Sequence, residues 1–93
     1  MSAPGAELRA QAARSLVSVL AQGRSLKAEL AERLPAIADS RDRALFEAIC
    51  FATLRHYRRY RYVLDTWMQR PLRDREAELQ CLLLAGLAQL DTL

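Results

Sequence analysis

The sequence is poor in the residues that build metal and catalytic centres. It has two cysteines and one histidine among 93 residues. Cys50 and Cys81 form no C-x-x-C pair, and a single histidine cannot complete a zinc-binding set with them. Both cysteines lie within apolar runs, where a free cysteine is usually buried. We therefore expect them to be reduced core residues of a cytoplasmic protein.

Long apolar runs are also missing, and glycine and proline are scarce, with three of each. No run approaches the roughly 20 apolar residues that span a bilayer, and the N-terminus lacks the apolar core of a signal peptide. There is no glycine-rich phosphate loop and no paired nucleophile and base. The sequence therefore predicts no membrane association, and no catalytic, cofactor-binding or metal site within these residues.

Apolar residues and a small positive charge are what the sequence does contain. Hydrophobic residues make up 52% of the chain, above the usual share for a globular domain. This excess predicts that some apolar surface meets a partner or another part of the same protein. The net charge of +3 is consistent with contact to RNA, although proteins that bind no RNA often carry a similar charge.

Helical periodicity dominates the chain after a tail of small residues at positions 1–5. Apolar residues recur at helical spacing, and no stretch alternates as a strand does. The predicted helices span about residues 6–22, 26–34, 41–70 and 75–92, and the third is one long helix, straight or kinked. The fold class is therefore all-α, a small helical bundle formed by a single domain over residues 6–93.

Several residues predict where these helices begin and end. Gly23 suits a left-handed C-terminal cap, and Ser25 suits the N-cap of the second helix. Asp39 and Ser40 are alternative N-caps for the third helix. Pro71 ends that helix and Asp74 caps the last one, while Gly86 is expected to permit close helix packing.

The stretch LRHYRRYRYVLDTW, residues 54–67, concentrates arginine and aromatic residues. As one continuous helix with about 100° per residue, it directs His56, Tyr60 and Trp67 toward the core. Arg58 then points directly away from the core, and the neighbouring Arg59 lies toward one flank. With the outward residues of this helix and two arginines of the first helix, the candidate RNA contacts are Arg9, Arg14, Arg55, Arg58, Arg61 and Tyr62.

Two interpretations of this surface stay open. It is either the solvated back of a helix, with Arg61 and Asp65 as an i,i+4 ion pair, or a face that contacts phosphate. Arginine forks match phosphate geometry, and an exposed Tyr62 can stack on an unpaired base.

Three segments carry a resemblance to a known family. They are LRAQAARSLVSVLAQGRSLKAEL, DRALFEAICFATLRHYRRYRYVLDTWMQRPL and LQCLLLAGLAQLDTL. In their order and spacing they resemble the first helices of the NusB-type RNA-binding domain, in the version found at the N-terminus of the Sun/RsmB family of bacterial 16S rRNA cytosine-5 methyltransferases. The run RHYRRYRY is richer in arginine than the family pattern at that position.

This resemblance implies a partner and a cofactor. The partner is 16S rRNA, and S-adenosylmethionine is the cofactor of a C-terminal catalytic domain in the parent protein, with no cofactor in this piece. Neither Cys50 nor Cys81 matches a catalytic cysteine of the family. The family fold continues with further helices, so we expect this piece to leave apolar faces uncovered, and these would meet the rest of the protein or a second copy in a homodimer. The alternatives are a NusB-type antitermination factor and a helical interaction module without an RNA role.

Overall fold

Helices account for the regular structure of the described part of the chain. A computed structural model describes residues 4–68 and 76–92. The helices are α1 (Pro4–Leu20), α2 (Leu26–Arg33), α3 (Ser40–Arg55), α4 (Tyr57–Trp67) and α5 (Ala77–Thr92), with a short 3-10 turn at Leu34–Ala36. α1 packs against α2, α3 and α5, and α4 packs mainly against α5. The predicted all-α bundle is confirmed.

Local signals set the ends of α1, α2 and α3 as the sequence predicts. Gly23 follows the end of α1 with a positive φ of 74°, a conformation that favours glycine. The hydroxyl of Ser25 accepts a hydrogen bond of 3.1 Å from an amide in the first turn of α2. Of the two candidate caps before α3, Asp39 is the one used, because its Oδ1 accepts from two amides of the first turn at 2.7 and 3.4 Å.

The first helix begins earlier than predicted. α1 begins at Pro4, not near residue 6, because proline is well tolerated in the first turn of a helix, where its missing N–H would have no partner. The predicted helix end at Pro71 and the predicted N-cap Asp74 lie outside the described residues.

Two apolar clusters hold the helices together. The larger one joins α1, α3 and α5 through Leu8, Ala12, Ala13, Leu16, Ile37, Phe46, Ile49, Cys50, Cys81 and Ala85. The smaller one joins α4 to α5 through Tyr60, Leu64, Leu84 and Ala88. Both cysteines are buried and unbonded, as predicted. Burial raises the pKa of Cys50 to about 12 and that of Cys81 to about 11.

The predicted continuous helix over residues 41–70 is wrong, because the chain bends at His56. This residue has φ −109° and ψ 24°, and its amide donates to two carbonyls at the end of α3. α4 begins at the next residue and buries Tyr60 and Leu64 against α5. No proline or glycine occurs at the bend, so its cause is the packing of α4 on α5, which local sequence does not encode.

Two further predictions, on α4 and α5, are also wrong. Trp67 is 72% exposed although the continuous helix directed it inward, because it is the last residue of α4 and lies at the rim of a groove beside α5. Gly86 does not mediate close packing. A Cβ built there would have no described atom within 4 Å beyond its neighbours and its own helix backbone.

Candidate nucleic-acid interface

The bend at His56 creates a basic concavity where α3 meets α4. This junction concavity has a volume of about 360 Å³ and is lined by residues 54–59. Three of its lining residues are arginines: Arg55 ends α3, and Arg58 and Arg59 lie in the first turn of α4. All three are exposed. The bend therefore places part of the arginine-rich stretch around one open site.

Arg59 is held by α5. Its guanidinium pairs with the carboxylate of Asp91, which also accepts a 2.8 Å hydrogen bond from the hydroxyl of Tyr60. That hydrogen bond, followed by the charges of Arg59 and His56, holds the pKa of Asp91 below its ordinary value. Because Asp91 stays ionised at neutral pH, much of the charge of Arg59 is offset within the protein.

Arg61 is half-buried and does not point fully outward as predicted. Its Nη1 donates a 3.0 Å hydrogen bond to the hydroxyl of Tyr57, and its Cζ lies 5.9 Å from the centroid of that ring. Its Nη2 lies 3.8 Å from Oδ2 of Asp65, so the i,i+4 pair named from the sequence is present. These contacts turn the Arg61 guanidinium toward its own helix and away from an external phosphate.

Arg55, Arg58 and Tyr62 form the open part of the surface. Both arginines are exposed, and neither side chain has a hydrogen bond or ion pair to any residue that the structure describes. Tyr62 lies four residues after Arg58 on the same face of α4 and is 72% exposed. We call the surface formed by Arg58 and Tyr62 of α4, with Arg55 at the end of α3, the α4 face.

The two candidate arginines of α1 lie elsewhere. Arg9 is half-buried, and its Nε donates to Oε1 of Gln89, which links α1 to α5. Arg14 lies 3.5 Å from Glu78 in an exposed ion pair. Glu78 is near the start of α5, about 20 Å from the C-terminal end where the first turn of α4 makes contact. Arg9 lines a different, apolar groove, and neither Arg9 nor Arg14 lines the junction concavity.

A second, apolar groove lies between the start of α1, the end of α4 and α5. Its volume is about 700 Å³. Trp67, Leu83 and Leu90 line it, together with Gly86 and Arg9. Leu90 is 87% exposed. Some of the hydrophobic residues that make the sequence rich in apolar residues are therefore exposed along this groove. Exposed apolar surface of this kind is typical of sites that contact another part of a protein.

The described residues include no cluster of metal-ligating side chains and no accessible thiol. Within residues 4–68 and 76–92, no three His, Cys, Asp or Glu side chains are placed to hold a metal ion together. A nucleophilic cysteine needs an accessible thiolate, whereas the thiols of Cys50 and Cys81 are buried with raised pKa values. None of the described helices has the length and hydropathy needed to cross a membrane.

Comparison with known proteins assigns the chain to a family. The sequence profile described as "NusB family" matches residues 6–93. Among curated proteins, the "Ribosomal RNA small subunit methyltransferase B" of Xanthomonas campestris pv. campestris is 56% identical over 92 residues, which cover 99% of this chain and 21% of that protein. Proteins of the same name from Xylella fastidiosa and Proteus mirabilis are 55% and 36% identical, over 91% and 89% of this chain.

These relatives are much longer than the chain. The alignments cover only 20% of the Xylella fastidiosa protein and 19% of the Proteus mirabilis protein, so the chain spans about a fifth of the curated relatives it matches. No solved structure gives a significant match.

Proposed function

Because the chain belongs to the NusB family, we propose that it is the RNA-binding N-terminal part of a 16S rRNA cytosine-5 methyltransferase and docks that enzyme on rRNA. The relatives named above support this proposal, since all three carry the name of a small-subunit rRNA methyltransferase. That shared name favours this function over an antitermination factor.

The methyl donor would bind outside this chain. S-adenosylmethionine is the donor that we propose for the whole enzyme, but the residues present here do not fit it. The three glycines, Gly5, Gly23 and Gly86, are isolated from one another and form no glycine-rich loop. Both thiols are buried. We therefore assign RNA binding, and no step of methyl transfer, to the residues of this chain.

The availability of Arg55 and Arg58 is the observation that carries the RNA-binding proposal. A guanidinium already bound to a carboxylate must lose that partner before it binds phosphate, whereas these two have no described partner to lose. Arginine binds phosphate through parallel N–H groups that match its oxygens. Two such side chains around one concavity can neutralise adjacent phosphates of an RNA strand.

The salt dependence of RNA affinity tests this proposal. We expect the logarithm of the association constant to fall linearly with the logarithm of salt concentration. In single strands each phosphate contact contributes about 0.7 to that slope, so the Arg55→Gln/Arg58→Gln variant should flatten it by about 1.4. Adding Arg61→Gln should change the slope little further, because Arg61 is already bound to Tyr57 and Asp65.

A matched control removes the same charge from another surface. Lys27 on α2 and Arg41 in the first turn of α3 are exposed, and their side chains have no described hydrogen-bond or ion-pair partner. Arg41 lies about 21 Å from Arg55 along α3. The Lys27→Gln/Arg41→Gln variant should retain nearly the wild-type slope. Equal flattening in both double variants, or none in either, would contradict docking through the junction concavity.

The apolar groove is where we expect this domain to contact the rest of the parent protein. Exposed Leu90 and Trp67 at a groove of this size favour a packed partner over water. A catalytic domain on the same polypeptide would cover this surface and leave the α4 face free for rRNA. Pairing of two copies through the groove is the alternative for the chain alone.

A further inference from the structure

We propose that the α4 face binds one unpaired nucleotide, with its base stacked on Tyr62 and its phosphates held by Arg58 and Arg55, so that the surface selects single-stranded over fully paired RNA. This inference rests on the proposed RNA-binding function and makes it more specific. It concerns the form of the RNA that is recognised, which the charge of the surface alone does not determine.

Tyr62 differs from the other two tyrosines in having no role inside the protein. The hydroxyl of Tyr60 donates to Asp91, and the hydroxyl of Tyr57 accepts from Arg61. Tyr62 has no described side-chain partner, and its ring is mostly open to solvent. An aromatic ring that contributes neither packing nor a hydrogen bond to the fold is available as a stacking surface.

The spacing along α4 fits a phosphate and its base. Arg58 and Tyr62 are one turn apart, with a rise of about 6 Å between them. Arg58 also lines the junction concavity with Arg55, so the phosphates would lie at the start of α4 and the base one turn further on. Asp65 follows Tyr62 by three residues and is also exposed. Because Asp65 and Arg61 pair with each other, the arginines without a described side-chain partner on this surface lie before Tyr62, which favours this orientation of the nucleotide.

Stacking distinguishes unpaired from paired RNA. In a duplex both faces of each base are covered by neighbouring bases, so Tyr62 has no ring to contact and only the arginines can bind. A single strand can turn a base outward onto an aromatic side chain while its backbone remains in the basic site. Wild-type protein should therefore bind a single strand more tightly than the same strand annealed to its complement.

The test compares Tyr62 variants on two matched probes, a 12-nucleotide RNA and its 12-base-pair duplex, by fluorescence anisotropy. Stacking on an aromatic residue contributes about 1–3 kcal/mol per base. Tyr62→Ala should therefore weaken single-strand binding by about 5- to 150-fold and change duplex binding by less than about twofold. Tyr62→Phe keeps the ring and should remain within about twofold of wild type. Circular dichroism checks that each variant is folded.

A second readout separates stacking from charge. With 2-aminopurine in the single strand, stacking on Tyr62 should quench its fluorescence in the wild type and in Tyr62→Phe but not in Tyr62→Ala. The salt slope should be the same for all three proteins, because no phosphate contact is removed. If Tyr62→Ala binds both probes as the wild type does while Arg55→Gln/Arg58→Gln weakens both, RNA binding stands and the stacking site is refuted. If the wild type binds neither probe, the RNA-binding function itself fails.

Discussion

Glu29 is the only charged residue that is buried within residues 4–68 and 76–92, and its replacement tests whether an ion network holds α2 in place. Its side chain is fully buried. The Nε of Arg33 donates to Oε1 of Glu29 at 2.8 Å, and Nη1 of Arg24 lies 2.8 Å from Oε2. Arg24 belongs to the turn between α1 and α2, so this carboxylate joins the turn to the helix. We expect Glu29→Ala and Glu29→Gln to destabilise the fold.

The size of the loss follows from the partners that remain. Burial acts to raise the pKa of Glu29, but the hydrogen bond from Arg33, the adjacent hydroxyl of Ser15 and the charges of Arg33 and Arg24 outweigh it and lower the pKa. Removing one partner of a buried ion pair costs about 3–5 kcal/mol. Since both arginine side chains are partly exposed and can be hydrated, we expect about 3 kcal/mol for Glu29→Ala. Glu29→Gln keeps an acceptor and should cost about 2 kcal/mol.

Urea unfolding followed by circular dichroism measures this loss. With a slope of about 1.5 kcal/mol per molar urea, a loss of about 3 kcal/mol lowers the midpoint by about 2 M. Glu32→Gln is the matched control, because Glu32 is an exposed acid on the same helix that also pairs with Arg24. Loss of an exposed ion pair costs about 0–1 kcal/mol.

The stabilisation that Glu29 contributes depends on pH. The folded pKa of Glu29 is below its ordinary value of 4.5, so its stabilisation is fully present above that value and is lost as the pH falls through the folded pKa. The difference between wild type and Glu29→Gln should therefore be constant near neutral pH and shrink in acid. Equal stability of these two proteins at pH 7, or an equal loss in Glu32→Gln, would refute this account of α2.

Two further predictions concern α5. Gly86→Ala should stabilise the isolated chain by about 1 kcal/mol, because alanine is the better helix former and its methyl group meets open space. Thermal unfolding should show an increase in Tm of roughly 4–8 °C, and a decrease would mean that the apolar groove is already covered in solution, as in a homodimer. Tyr60→Phe should raise the pKa of Asp91, because it removes the largest interaction that lowers it. Titration of the Asp91 carboxyl carbon by NMR measures this shift, and Tyr57→Phe, whose hydroxyl contacts Arg61 instead, should leave that pKa unchanged.

Features that depend on neighbouring residues could be predicted from the sequence. The left-handed conformation of Gly23 follows from its place after a helix, and the caps at Ser25 and Asp39 need only a side-chain oxygen next to free amides. Burial of the two cysteines followed from the apolar runs around them. Each of these predictions uses contacts within a few residues, and for that reason the structure agrees with them.

Features that depend on distant packing could not be predicted. The sequence around His56 contains no helix breaker, so the bend is visible only once Tyr60 and Leu64 are seen against α5. The helical wheel directed Trp67 toward the core, but α4 ends at this residue and its side chain is exposed at the rim of the apolar groove. The junction concavity was missed for the same reason, since a continuous helix would have no concavity at residues 54–59.

Most of the described arginines already bind a group within the protein, so only part of the positive charge is available to a ligand. Besides the pairs of Arg59 and Arg61, Arg14 of α1 and Arg24 of the turn that follows α1 form ion pairs. Three more arginines donate hydrogen bonds within the protein. Arg9 donates to Gln89, Arg33 donates to Glu29, and Arg43 donates to the carbonyls of Ile37 and Ala38.

The cations without a described partner are fewer, and their positions matter more than their number. Within residues 4–68 and 76–92 they are Lys27, Arg41, Arg55 and Arg58. Lys27 lies on α2, and Arg41 lies at the far end of α3 from Arg55, whereas Arg55 and Arg58 share one concavity. Proximity lets two charges act on one strand, and both are held near the end of a rigid helix. For this reason we propose that a mildly basic domain binds RNA through a small surface, and that fewer side chains take part than the arginine-rich sequence of residues 54–67 suggests.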